Sequence, residues 1–151
     1  MLIREILSVS RIKTGIELRS KKAVLEYLSE RLGEDCPELS NMDVFEGLLA
    51  RERLGSTGLG HGVGIPHGRM AGITETKAAF LKTKEAIDFD AVDGQPVDMF
   101  FALMVPEEST DEHLKVLSQL AEKFSETSFL ERLRSNSEPE SLLKLLTAES
   151  S

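Results

Sequence analysis

The sequence predicts an α/β fold, and three observations carry that prediction. Met99–Val105 is a run of seven consecutive apolar residues stopped by Pro106, too short for a free helix and suited to a central strand covered on both faces. Thr76–Lys84 alternates, placing Ala78, Phe80 and Lys82 on one side and Ala79, Leu81 and Thr83 on the other, as a strand does. Around these runs lie segments whose apolar residues recur at helical spacing behind Ser or Asn caps. Strands interleaved with helices define the class.

Composition narrows the function. A chain of 151 residues fits one domain, here residues 1–151, with enough length for a substantial core. The net charge of −8 argues against a nucleic-acid partner, which needs clustered Lys and Arg; it suits a basic protein surface. A lone cysteine, Cys36, forms no internal disulfide, so a reducing, cytoplasmic setting is expected. The opening Met-Leu-Ile-Arg-Glu-Ile-Leu is too short and too charged for a signal peptide. No apolar run approaches the length of a membrane span.

In chain order, a short strand or extended segment is expected near Ser10–Lys13. Ser20 caps a helix that runs to about Leu32, with Val24, Tyr27, Leu28 and Leu32 on one face and Gly33 closing it. A second helix is expected from about Met42 to Leu54, capped by Ser40 or Asn41 and ended by Gly55. Its stripe is Val44, Phe45, Leu48, Leu49 and Glu52, with Arg51 at the edge, able to bury its stem and hold its guanidinium near the following loop. Asp93-Gly94 signals a turn. Ser109–Glu112 matches a capping box before a helix carrying Leu114, Leu117, Leu120, Ala121 and Phe124. His113 falls in that helix's first turn, where free N–H groups favour an anion. Two shorter helices, near Ser128–Arg134 and Glu138–Leu146, complete the chain, the last capped by Ser137 with Pro139 in its first turn.

The chemistry concentrates in residues 55–69, which hold six of the eleven glycines and two of the three histidines. Glycine this dense excludes helix and lets backbone N–H groups approach a ligand closely. No Gly-Lys-Ser/Thr follows and no G-x-G-x-x-G spacing occurs, so neither a P-loop nor a dinucleotide fingerprint is present. Val63–Pro66 is expected as a short strand presenting His67 at its carboxyl end, with Gly68 leaving room beside the imidazole. With no cofactor implied, the candidate reagent is the histidine itself.

Gly-Val-Gly-Ile-Pro-His-Gly, at 62–68, resembles the active-site signature of enzyme IIA domains of the mannitol–fructose type, from the bacterial phosphoenolpyruvate-dependent phosphotransferase system. The preceding Leu49–Gly58 resembles the nitrogen-regulatory branch most closely. Gln95–Pro106 and Glu112-His113-Leu114 follow in the family's order, so the likeness spans nearly the whole chain. It implies a small mixed sheet with helices on both faces. It further implies that His67 is phosphorylated on Nε2 by an HPr-like phosphocarrier, with Arg51 binding phosphoryl oxygens and His113 beside the ring. Ser56, Thr57 and the Gly68 region of the loop are expected as supporting donors.

Transfer between two histidines is near thermoneutral, so it needs in-line placement and charge neutralisation more than driving force. His67 must be neutral to attack. The stand-alone unit suits the regulatory branch, acting on target proteins; a sugar-specific unit that feeds a permease IIB unit is the competing reading. A three-histidine zinc site from His61, His67 and His113 is a distant third, since a separation of six residues in a loop is no recognised ligand spacing. His61 is left outside the catalytic set.

Overall fold

The computed structural model describes residues 2–108 and 111–148. Its centre is the strand that the apolar run foretold, β6 (Val97–Pro106). Around it the sheet runs β1-β5-β6-β3-β2, with β4 also paired to β6. The other strands are β1 (Ile12–Ile16), β2 (Gly58–Gly60), β3 (Val63–Gly64), β4 (His67–Met70) and β5 (Lys77–Ile87). β5 runs antiparallel to β6, whereas β1 is parallel to β5 and β3 and β4 are parallel to β6. The sheet is therefore mixed.

Side chains along β6 alternate between two cores. Met99, Phe101 and Leu103 face one cluster, together with Ala78 and Phe80 of β5. Phe100, Ala102 and Met104 face the other, with Ala79 and Leu81. Each fully buried residue of this kind contributes about 1.5–3 kcal/mol relative to exposure, so register is strongly fixed; a one-residue slip would exchange the two faces. The first core is covered by α1 (Ile3–Ile6), α4 (Glu112–Phe124), α5 (Thr127–Ser135) and α6 (Pro139–Thr147). The second is covered by α2 (Lys21–Gly33) and α3 (Asn41–Glu52). The α/β class read from the residues holds, and the mixed sheet with helices on both faces is the arrangement that the family resemblance implied.

The caps explain the helix starts. The Ser20 hydroxyl accepts from Ala23 N–H at 3.0 Å, and Ser40 and Asp43 form a reciprocal capping box at α3, each satisfying donors that a helix leaves open. Three expectations need correction. His67 opens β4 and does not close a strand begun at Val63, because Pro66 has no N–H for a ladder and Ile65 N–H turns aside to Thr57 O at 3.0 Å. The short strand or extended segment expected near Ser10–Lys13 starts two residues later: a 3-10 turn, Val9–Arg11, leads into β1, which takes in Ile12 and Lys13. At α6 the cap position belongs to Glu138, without a side-chain bond, and not to Ser137; Pro139 does hold the first helical position. The Ser109–Glu112 capping box lies outside the described residues.

One contact sets the geometry of everything below. α3 lies against β4 glycine to glycine: a Cβ on Gly68 would sit 2.6 Å from Gly47 O and 2.8 Å from Gly47 C, and one on Gly47 would sit 2.5 Å from Met70 Sδ. The room that Gly68 provides is thus for the helix, where the sequence suggested room for the imidazole. Gly68→Ala should cost about 1–3 kcal/mol as a backbone-on-backbone overpacking, a fall in Tm of roughly 2–12 °C for a chain of this size. Gly47→Ala should cost less, because the atom in its way belongs to a flexible methionine. Thermal melts of the two variants decide it; an equal or smaller loss at Gly68 would remove this contact as the determinant of α3 placement.

Candidate functional site around His67

His67 stands at the first position of β4, paired across to Leu103 of β6. The break at Ile65-Pro66 swings the Ile65 carbonyl toward the ring, and His67 Nδ1 lies 2.8 Å from it. A carbonyl can only accept, so Nδ1 carries the proton and Nε2 holds the lone pair. Burial pushes the His67 pKa below the ordinary histidine value. The Ile65 carbonyl and Glu52 pull it up, while Arg51 and His113 push it further down. The net shift favours the neutral ring, with its free lone pair on Nε2.

The pH dependence follows with its sign. With the folded pKa below the unfolded value, the unfolded chain binds a proton between the two that the folded chain refuses, so acidification below about 6.5 lowers stability. An NMR titration of the His67 ring should show its midpoint below that value. A midpoint above it would mean that the charged form is favoured and the ring is poorly set for attack at neutral pH.

Arg51 reaches the site because α3 is seated on β4. It lies one helical turn beyond Gly47, near enough for its charge to act on the His67 ring. Its Nη1 donates to Gly55 O at 2.8 Å, fixing the guanidinium at the mouth of the loop. His113 enters from the opposite face, as the second residue of α4, and is only 7% exposed. His67 and Arg69 alternate with Gly68 and Met70 along β4, and Met70 belongs to the α3-side core. His67 and Arg69 therefore share the α4 side. Arg69 Nη2 lies 3.4 Å from His113 Nε2.

The hydroxyls of Ser56 and Thr57 turn inward. Ser56 Oγ donates to Phe89 O at 2.8 Å and accepts from Gly58 N–H at 3.0 Å; Thr57 Oγ1 donates to the Glu52 carboxylate. Both residues shape the loop from within. His61 sits apart from this constellation. It adopts a left-handed φ of 57° between Gly60 and Gly62, its N–H bound to Asp93 at 3.1 Å and its carbonyl to Arg134 at 2.7 Å. Among the described residues, no group of three or more His, Cys, Asp or Glu is placed to hold a metal ion, which removes the three-histidine zinc reading.

Sequence reasoning missed Arg69, Glu52 and Lys21. Glu52 was visible only as a polar residue in an apolar stripe, and that anomaly was its signal. Lys21 and Arg69 carried none, because their partners lie far off in sequence.

A fold with helices on both faces of a mixed sheet, and a strand-end histidine with its Nδ1 on a backbone carbonyl beside a glycine-rich loop, point to a class, and comparison identifies it. Residues 5–149 match the family described as phosphoenolpyruvate-dependent sugar phosphotransferase system, EIIA 2, and the chain belongs to that family, a component of the phosphotransferase system. It is similar to the nitrogen regulatory protein of Pseudomonas aeruginosa, with 40% identity over 95% of this chain and 94% of that one. The crystal structure of nitrogen regulatory protein IIA-Ntr from Neisseria meningitidis superimposes with a TM-score of 0.91 at 51% identity, covering 96% of this chain and 99% of the other. The fructose-specific EIIA component of Haloferax volcanii is 33% identical over 76% of this chain and 74% of its own. No helix among the described residues is long and apolar enough to cross a membrane.

Proposed function

We propose that His67 is a phosphohistidine carrier, taking a phosphoryl group on Nε2 from a phosphocarrier protein of the HPr kind. The observation that supports this most directly is the Nδ1–H bond to the Ile65 carbonyl, which leaves Nε2 as the nucleophile. In the transfer a new N–P bond forms at Nε2 while the donor's N–P bond breaks, its electron pair returning to the donor's ring nitrogen. The His67 Nδ1 proton stays in place, and the Ile65 carbonyl stabilises the positive charge that develops on the ring. No proton leaves His67 and no cofactor takes part. Arg51 meets the equatorial oxygens, His113 donates beside them, and the loop of Ser56, Thr57 and Gly68 supports the phosphoryl group by its shape. The adduct brings roughly two negative charges to the loop.

The regulatory reading follows the relatives named nitrogen regulatory protein: the chain acts on target proteins in the cytoplasm according to its phosphorylation state. The likeness to a fructose-specific component supports a second reading, in which the phosphoryl group passes on to a IIB unit.

Incubation with phosphoenolpyruvate and the general phosphotransfer proteins, followed by intact-mass measurement, tests the carrier role. One acid-labile, base-stable phosphoryl group on Nε2 of His67 is expected. No gain in mass, or a group mapped elsewhere, would overturn it. Addition of a purified fructose-type IIB unit separates the two readings: rapid loss of the group to that unit favours the second.

A further inference from the structure

We infer that Lys21, Glu52 and Thr57 form a positioning device for the His67 imidazole, joined to it by a continuous chain of hydrogen bonds. The inference rests on His67 as the phosphoryl acceptor.

Glu52 is the starting point. It lies in the last turn of α3, one turn beyond Leu48 on the buried stripe, and its side chain is 2% exposed. A carboxylate at that depth is costly unless paired and fully hydrogen-bonded. Lys21, the first residue of α2, supplies the pair, with Nζ 2.9 Å from Glu52 Oε2. The ammonium also lies 4.7 Å above the Phe89 ring and 3.4 Å from Phe89 O. Asp90 approaches the same ammonium at 3.6 Å. Ser56 Oγ donates to that same Phe89 carbonyl. The start of α2, the end of α3, the loop and the segment after β5 thus converge on one ammonium, which is partly exposed on its Asp90 side and meets the buried Glu52 on the other.

From there the chain runs to the ring. Glu52 accepts from Thr57 N–H at 3.2 and 3.3 Å and from the Thr57 hydroxyl. Thr57 O accepts from Ile65 N–H at 3.0 Å. Ile65 O accepts from His67 Nδ1–H at 2.8 Å. The groups used on Thr57 and Ile65 belong to different peptide units, so the chain carries position and not charge. An ion pair this deep contributes little net stability compared with apolar residues of the same size. Its role is to hold the Ile65 carbonyl where it selects the Nδ1–H tautomer. Once that carbonyl drifts, the neutral ring also populates the Nε2–H form, which has no lone pair at the phosphoryl-accepting atom.

The test reads the tautomer directly, on the full unphosphorylated chain, by 15N NMR of labelled histidine, alongside the rate of phosphorylation. Wild type should show the Nδ1–H form. Glu52→Ala and Thr57→Val should gain the Nε2–H form and lose roughly tenfold to a hundredfold in rate, the range expected for a misplaced reacting group. Glu52→Gln, which still accepts from Thr57, should recover the wild-type tautomer. Should Glu52→Ala fail to fold, the double variant Lys21→Met/Glu52→Leu removes both charges together and should show the same tautomer shift. Folded variants with the wild-type tautomer and rate would overturn the inference. A shifted tautomer in a protein whose wild type takes no phosphoryl group would uphold the device and reject His67 as acceptor.

Discussion

Replacement of His67 by alanine should abolish phosphoryl acceptance while leaving the fold in place. The stability loss should be small, because the ring is half-buried and its removal costs one hydrogen bond, about 0.5–1.5 kcal/mol. No other histidine is placed to substitute. The His113 ring is buried and has Arg69 against its Nε2 at 3.4 Å. His61 is exposed in a turn pinned to Asp93 and Arg134. Intact-mass measurement after incubation with the phosphotransfer proteins should therefore show no gain for His67→Ala at times when wild type is fully converted, with a cooperative melt lowered by only about 1–6 °C. A stable phosphoryl group on the folded variant would move the acceptor to another residue and with it the whole reading of the loop.

The parts of the fold that were legible in the sequence are those governed by local rules. Ser20 and Ser40 cap their helices by bonds to residues three positions on, so a short window contains the whole cause. The faces of β5 and β6 follow from strict alternation, and both faces are buried as the continuous apolar run of β6 required. Where the reading failed, the cause lay outside the window. β2 is made of Gly58–Gly60, residues with poor strand propensity, and exists because β3 offers it an antiparallel partner. Val63–Pro66 reads as one strand by composition, yet Ile65 leaves the ladder for Thr57, and the backbone must break there for its carbonyl to meet the His67 ring.

The site divides along the same line. The loop and its histidine stand out by glycine density, and Arg51 by its place at the edge of a stripe, both short-range patterns. Glu52 looked like a member of that stripe because periodicity reports burial and is silent about partners. What makes its burial tolerable is Lys21, thirty-one positions earlier, and the pairing appears only once α2 and α3 pack side by side on the sheet. Gly68 was singled out correctly for lacking a side chain, but the neighbour that requires this is Gly47 of α3, a contact invisible until helix and strand are docked.

That same contact underlies the expected behaviour of Arg51, whose removal should slow transfer more than any other change that spares His67. Gly47 against Gly68 fixes how far along β4 the helix sits, and Arg51 lies one turn further along α3, where its charge acts on the ring. The Nη1 bond to Gly55 O then tethers one corner of the planar guanidinium. Its remaining donors lie in that plane, suited to two oxygens of a phosphoryl group at once. Arg51→Ala should lower the transfer rate about 10²–10³-fold, as loss of one preorganised charge-stabilising donor does. Arg51→Lys keeps the charge without the planar fork or the tether, and should fall between that variant and wild type. A second readout is independent of the donor protein. Arg51 is one of the groups that push the His67 pKa down, so Arg51→Ala should raise the midpoint of the ring's NMR titration, and Arg51→Lys should raise it less. Rapid-quench transfer assays and the titration together decide the matter. Wild-type rates with an unmoved His67 midpoint would show that Arg51 serves only to close the loop onto the end of α3.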